Sequence, residues 1–222
     1  VAAGATHLVL DIPVGPTAKV RDVAAATALS TRLRTVAANF GIHSEAIISD
    51  GSQPVGVGIG PALEGRDVLA VLKQSPGFPR DLFARSSQLA GKLLELAGRC
   101  ASGDGQALAA RTIESGEAWV KFQRICEAQG GLREPPVARH KQAWCAPDVG
   151  RVASIDNRSL ARAAKLAGAP GRKAAGIEML VKTGQVVEVR EPLFLVHAET
   201  RGELDYAMDY LSANRSVVSL ET

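Results

Sequence analysis

The order of patterns at the start of this chain limits its fold more than any other feature. His7-Leu8-Val9-Leu10-Asp11-Ile12 reads as a strand, and the turn-rich run Pro13-Val14-Gly15-Pro16-Thr17-Ala18-Lys19 follows it. Val23, Ala26, Leu29, Leu33, Val36 and Phe40 then recur at a spacing that keeps one helix face apolar over about 21–41. Ala46-Ile47-Ile48-Ser49 supplies a second strand. Strand, helix, strand is the order of a parallel crossover, because two parallel strands cannot be joined by a tight turn. Eleven prolines and 22 glycines in 222 residues are too many for a plain helical bundle, which agrees with an α/β or α+β protein. No charged segment precedes the first strand, so a signal peptide is not expected. Ala2-Ala3-Gly4 reads instead as the last turn of a helix whose beginning is absent, with Gly4 as its stop.

A helix is expected near 63–74, another begins near Asp81 and carries Leu82, Leu89, Leu93 and Leu96 on one face, and a third near 104–128 aligns Trp119, Phe122 and Cys126. Asp81 is the expected cap of the second. Gly130-Gly131 and Pro135-Pro136 frame a linker, after which short strands dominate, at 142–145, 150–155, 176–181, 186–189 and 193–198, with a last one at 217–220. Asp156-Asn157 can cap a helix running to Ala167, and a further helix fits 201–213. The reading is therefore α/β plus α+β: residues 1–130 as part of an α/β domain with trailing helices, and 137–222 as a compact α+β domain.

The charges exclude some functions. Twenty-six basic and 23 acidic residues are interspersed, and the formal net charge is only +3, so no nucleic-acid footprint is visible. Few aromatics are available to stack on bases. Cys100, Cys126 and Cys145 are widely spaced, which argues against zinc and suits inert thiols in a reducing cytoplasm. No stretch reaches the roughly 18 consecutive apolar residues of a membrane span, so a soluble, cytoplasmic protein is expected.

Among local motifs, Ser49-Asp50-Gly51-Ser52-Gln53-Pro54-Val55-Gly56-Val57-Gly58-Ile59-Gly60-Pro61 stands out. Glycines at alternate positions between a strand and a helix could cradle an anion, or could simply form a tight structural loop. The spacing matches neither the dinucleotide nor the P-loop fingerprint. Asp11 and Lys19 lie where groups beyond parallel strands often line ligands, although a capping aspartate and a solvated lysine would look the same. His7, His43, His140 and His197 form no metal-ligand pair, and no G-x-S-x-G elbow is present. Lys182-Thr183-Gly184-Gln185 with the following strand has the look of a lipoyl or biotinyl domain, without the lysine such a domain carries at its tip.

Three segments together resemble the thymidine phosphorylase and AMP phosphorylase family, in its order and spacing. They are Gly4 through Gly15, Ser49 through Glu64, and Asp156-Asn157 with Leu166-Ala167-Gly168-Ala169-Pro170 and Lys173-Ala174-Ala175-Gly176. The resemblance covers nearly the whole chain. It implies a helical domain and an α/β domain with phosphate and nucleoside bound between them, followed by a C-terminal α+β domain. The implied reaction is phosphorolysis of a pyrimidine nucleoside, thymidine and phosphate giving thymine and deoxyribose 1-phosphate.

The family's phosphate loop, and the Arg, Ser and Lys that grip the base, lie upstream of the position matching Val1. The resemblance thus leaves no catalytic residue in this chain, which by itself is expected to be inactive. It assigns Lys19 to substrate binding, where a cation would favour a nucleoside 5′-monophosphate such as AMP. It assigns Val55, Gly58 and Asp67 to a structural potassium ion, the family's carboxylate being a Glu, and requires no other cofactor. Partners so implied are phosphate and a pyrimidine nucleoside or nucleotide, with a homo-oligomer in the full-length protein and no nucleic acid or membrane. A non-catalytic oligomerisation or nucleotide-binding module is the alternative of another class.

Overall fold

The computed structural model describes residues 2–221. Residues 2 and 3 form a turn and Gly4 has φ 67°, the left-handed geometry of a stop, while Val1, the start of the expected helical turn, lies outside the described residues. Contacts divide the chain into two units, Val1–Gly51 with Val71–Gly131, and Ser52–Ala70 with Leu132–Thr222.

In the first unit, strand β1 (His7–Val14) pairs in parallel with β2 (His43–Asp50), from His7 opposite His43 to Val14 opposite Asp50. Helix α1 (Val23–Asn39) makes the crossover, capped by Asp22, whose carboxylate accepts the Ala25 N–H at 2.7 Å. The crossover expected from sequence is present, but α1 does not bury its apolar stripe. Ala26 and Ala37 are its buried residues, whereas Val23, Leu29, Leu33, Val36 and Phe40 are exposed.

Helix α3 (Arg80–Leu96) is capped at Pro79, and Asp81 falls in its first turn instead of at the cap. The single helix expected over 104–128 is two, α4 (Gly105–Glu114) and α5 (Glu117–Ala128). They are separated at Gly116, whose φ of 82° a helix cannot contain. Glu95 of α3 accepts the N–H groups of Gly103 and Gly105 at 3.0 and 3.1 Å and so serves the start of α4.

The second unit takes in residues 52–70, which sequence patterning groups with the first. The reason is strand pairing: β3 (Gly58–Ile59) runs antiparallel to β6 (Gly176–Met179), and helix α2 (Pro61–Leu72) follows directly. One antiparallel sheet has the order β3-β6-β8-β4, with β4 at His140–Cys145 and β8 at Pro192–Ala198. A second has the order β7-β5-β9, with β5 at Gly150–Ile155, β7 at Val186–Val187 and β9 at Val218–Glu221. β7 and β8, the strands of the lipoyl-like stretch, belong to different sheets.

Helix α6 (Asn157–Leu166) starts where Asp156 accepts the N–H groups of Arg158 and Ser159. Helix α7 (Arg201–Ala213) starts in a reciprocal box between Thr200 and Glu203. Leu160, Ala163 and Ala164 of α6 and Leu204, Ala207 and Leu211 of α7 repeat at helical spacing and are buried. They meet Val152, Ile155, Ile177, Leu193, Phe194 and Val196 in one continuous core. Each large apolar side chain so buried contributes about 1.5–3 kcal/mol.

Candidate functional site

Two parallel strands ending side by side present their following loops together, and in the first unit one arginine ties β1 to the end of β2. Arg85 of α3 donates from Nη1 to Asp11 Oδ2 at 3.1 Å and to Ser49 Oγ at 2.8 Å, and from Nη2 to the Asp50 carbonyl at 2.9 Å. Ser49 Oγ donates to the other Asp11 oxygen. Arg85 and Asp11 are 15% and 27% exposed at the side chain, so the fork is shielded on most sides. Asp11, which lies within β1 and not at its end, therefore serves as an anchor joining β1 to the end of β2. Nothing local in sequence marks Arg85 for this role, since its carboxylate partner lies 74 positions away.

Lys19 stands on the loop after β1. That loop closes on its own backbone, with Gly15 N–H donating to the Val20 carbonyl and Ala18 N–H to the Gly15 carbonyl. The lysine side chain is exposed on it.

The glycine loop in the second unit is filled by the chain's own side chains. Asp67 Oδ2 accepts the N–H groups of Val57 and Gly58, each at 2.8 Å, and Glu64 Oε1 accepts that of Gly60 at 2.9 Å. Amides that could have cradled a phosphate already face carboxylates of α2. Gly60, at φ 130°, lies so close to the Ala175 backbone that a side chain there would collide with it. This favours the tight-loop reading of the motif. Glu64 and Asp67 sit three residues apart at the start of the helix after the loop, a spacing that puts both on one face and was visible in the sequence.

The carbonyl side of the same loop is held by residues 179–183. Lys182 Nζ donates to the carbonyls of Pro54 at 2.8 Å and Gly56 at 2.6 Å, Met179 N–H to that of Val57 at 2.7 Å, and Thr183 N–H to Gln53 Oε1 at 2.9 Å. Of the residues linked to potassium by resemblance, Asp67 and Gly58 are thus in direct contact, through an amide, with Val55 nearby in the half-buried loop.

The histidines do not gather at either place. His7 and His43 stack at 5.3 Å where β1 and β2 begin. His197 is wholly buried in β8, with Nε2 2.9 Å from Glu178 Oε2 and no partner for Nδ1. Burial holds its pKa below the ordinary value, with help from the positive charge of Lys141 and against the opposing pull of Glu178. In its neutral form the ring donates Nε2–H to the carboxylate, which can only accept. Among the described residues, no helix is long and apolar enough to cross a membrane.

Comparison with known proteins agrees with the resemblance in the sequence. Residues 151–217 match the Pyrimidine nucleoside phosphorylase C-terminal domain, and they lie within the second unit. A protein of Sphingopyxis alaskensis named "Putative thymidine phosphorylase" is 56% identical over 99% of this chain and 42% of its own length. Similarly named proteins of a Chelativorans species and of Tolumonas auensis are 52% and 53% identical over the whole chain, and over 43% and 44% of theirs. The chain spans about two fifths of the length of the curated relatives it matches. Residues 151–217 thus match the pyrimidine nucleoside phosphorylase C-terminal domain, and along almost every residue the chain is more than half identical to part of proteins named putative thymidine phosphorylase.

Proposed function

We propose that the full-length protein carrying this chain is a thymidine phosphorylase-type pentosyltransferase of pyrimidine salvage. An oxygen of inorganic phosphate attacks the anomeric carbon, the bond from that carbon to the base breaks, and its electron pair goes to the base, which takes up a proton. Thymine and deoxyribose 1-phosphate leave. Such a transfer needs the phosphate held in line and charge on the departing base offset, so positioning dominates its catalysis. The observation that carries the reading is the 56% identity, over 99% of the chain, with a relative of that name.

In this reading the chain supplies framing. Arg85, Asp11 and Ser49 fix β1 to the end of β2, while Glu64, Asp67 and Lys182 fix the glycine loop. The groups that grip phosphate and base belong, by resemblance, to sequence upstream of the position matching Val1, so the 222-residue chain alone turns nothing over. The full protein works in the cytoplasm as a homo-oligomer.

One observation favours a nucleoside 5′-monophosphate as the substrate instead. Lys19 is an exposed cation on the loop beyond β1, where an added phosphate could be met by a charge-assisted bond. Phosphate-dependent base release by the full-length protein from thymidine, uridine, AMP, CMP and UMP separates the two. Thymidine preference, unchanged by Lys19→Ala, supports the nucleoside reading. Preference for a monophosphate, lost selectively in Lys19→Ala, transfers the protein to the nucleotide reading. Absence of release from all five sinks both.

A further inference from the structure

The glycine loop carries a cation of its own. Lys182 places a full positive charge 2.8 Å from the Pro54 carbonyl and 2.6 Å from the Gly56 carbonyl, distances of charge-assisted hydrogen bonds. Backbone carbonyls converging on one unit charge are the ligand type that hard monovalent cations choose. An ammonium differs in being covalently tethered and in donating along fixed N–H directions.

The position of this ammonium is fixed by the turn that bears it. Lys182 N–H donates to Gln185 Oε1, Gln185 N–H returns to the Lys182 carbonyl, and Arg151 Nη1 donates to the Gly184 carbonyl at 2.7 Å. Thr183 N–H meets Gln53 at the head of the same loop. The turn thereby fixes the point from which the lysine side chain extends, while the side chain itself loses rotamer freedom on reaching its carbonyls.

Donors already occupy one oxygen of Asp67, a member of the set implied for potassium, and three carbonyls of the same loop. Asp67 Oδ2 faces two N–H donors, and the carbonyls of Pro54, Gly56 and Val57 are all engaged by N–H groups. A second cation among these atoms would have to displace donors already bonded and approach a like charge.

We propose that the Lys182 ammonium is the resident cation of the glycine loop, held by the Pro54 and Gly56 carbonyls in the place a bound alkali-metal ion would otherwise take. The loop then keeps its shape at any salt composition. The inference concerns the frame of the loop and stands whichever nucleoside or nucleotide the protein takes.

Thermal unfolding of the full-length protein, freed of potassium and sodium and then titrated with potassium chloride or choline chloride at matched ionic strength, tests it. Thallium(I) serves as a directly observed potassium analogue. Wild type should give the same Tm in both salts and no saturable thallium signal. Lys182→Met should lose about 5 °C in choline and recover much of it selectively in potassium, because the vacated carbonyls can then take a free ion.

A saturable, potassium-selective rise in the wild-type Tm, or saturable thallium binding to wild type, overturns the proposal. So does a Lys182→Met protein whose Tm is unchanged, or which is weakened equally in both salts, since the lysine would then be no more than a hydrogen-bond donor. If Lys182→Met does not fold, the two wild-type measurements still decide.

Discussion

The two units bury their apolar residues in different ways. Among the described residues, the twelve largest fully buried side chains, from Val152 to Val217, all belong to the second unit. There two antiparallel sheets and helices α6 and α7 close a core from a short, nearly continuous stretch of chain. The first unit buries mainly small or scattered residues such as Ile12, Ala26, Ala37, Phe78 and Ile113. Val36 on α1 is 54% exposed and Phe40, at its C-cap, 62%, and β1 and β2 make a two-stranded parallel sheet, a kind normally covered on both faces. Apolar periodicity thus tells which face of a helix calls for burial, and leaves open what covers it.

The largest effect that would break this comparison is in the core of the second unit. Phe194→Ala should cost about 3–5 kcal/mol in urea unfolding. A loss below about 1 kcal/mol would mean that β8 does not centre a packed core. Next is the tie between the two strands of the first unit. Arg85→Ala should cost about 1–2 kcal/mol, less than a fully buried pair because Asp11 is partly exposed. Arg85→Lys should restore little of it, a single ammonium being unable to reach Asp11, Ser49 and the Asp50 carbonyl together. Full recovery by lysine would reduce the cluster to a point charge.

A smaller, pH-dependent effect separates the units again. The pKa of His197 is lowered in the folded protein, so as pH falls through the ordinary value of 6.5 the unfolded chain gains a proton that the folded ring refuses. Stability should decline from pH 7 to 5, and His197→Gln should flatten that decline. Asp156 and Glu203 are lowered by hydrogen bonds from Ser159 and Thr200, against the opposing effect of burial. Their contribution is present above their unfolded values near 4 and lost at lower pH, outside this window. An equal slope in wild type and His197→Gln would remove His197 as the cause. Smallest of all, Val36→Glu on the exposed face of α1 should stay within about 0.5 kcal/mol of wild type in this chain. A cost of several kcal/mol would show that face to be covered.

Sequence reading recovered what depends on neighbours along the chain. The β1-α1-β2 crossover, the Asp156 cap and the α7 helix follow from local patterns, whereas those patterns run through the break at Gly116 as one helix. What it left open depends on distant partners. Arg85 finds Asp11 across 74 positions, and Lys182 finds Pro54 across 128, with no periodicity to announce either. The glycine loop could be read two ways because glycine spacing describes backbone freedom, not what the amides bind. The choice is made by Asp67 and Glu64 on the next helix.

Amide hydrogen exchange followed by mass spectrometry on the 222-residue chain tests most directly whether the glycine loop belongs to the frame of the second unit. Peptides from β6, β8, α6 and α7 should exchange slowest, peptide 53–61 should be protected beside them, and α1 with β1 and β2 should exchange first. Exchange of 53–61 as fast as the exposed loop at 15–19, or protection of α1 and β1 beyond that of β8, would contradict the account.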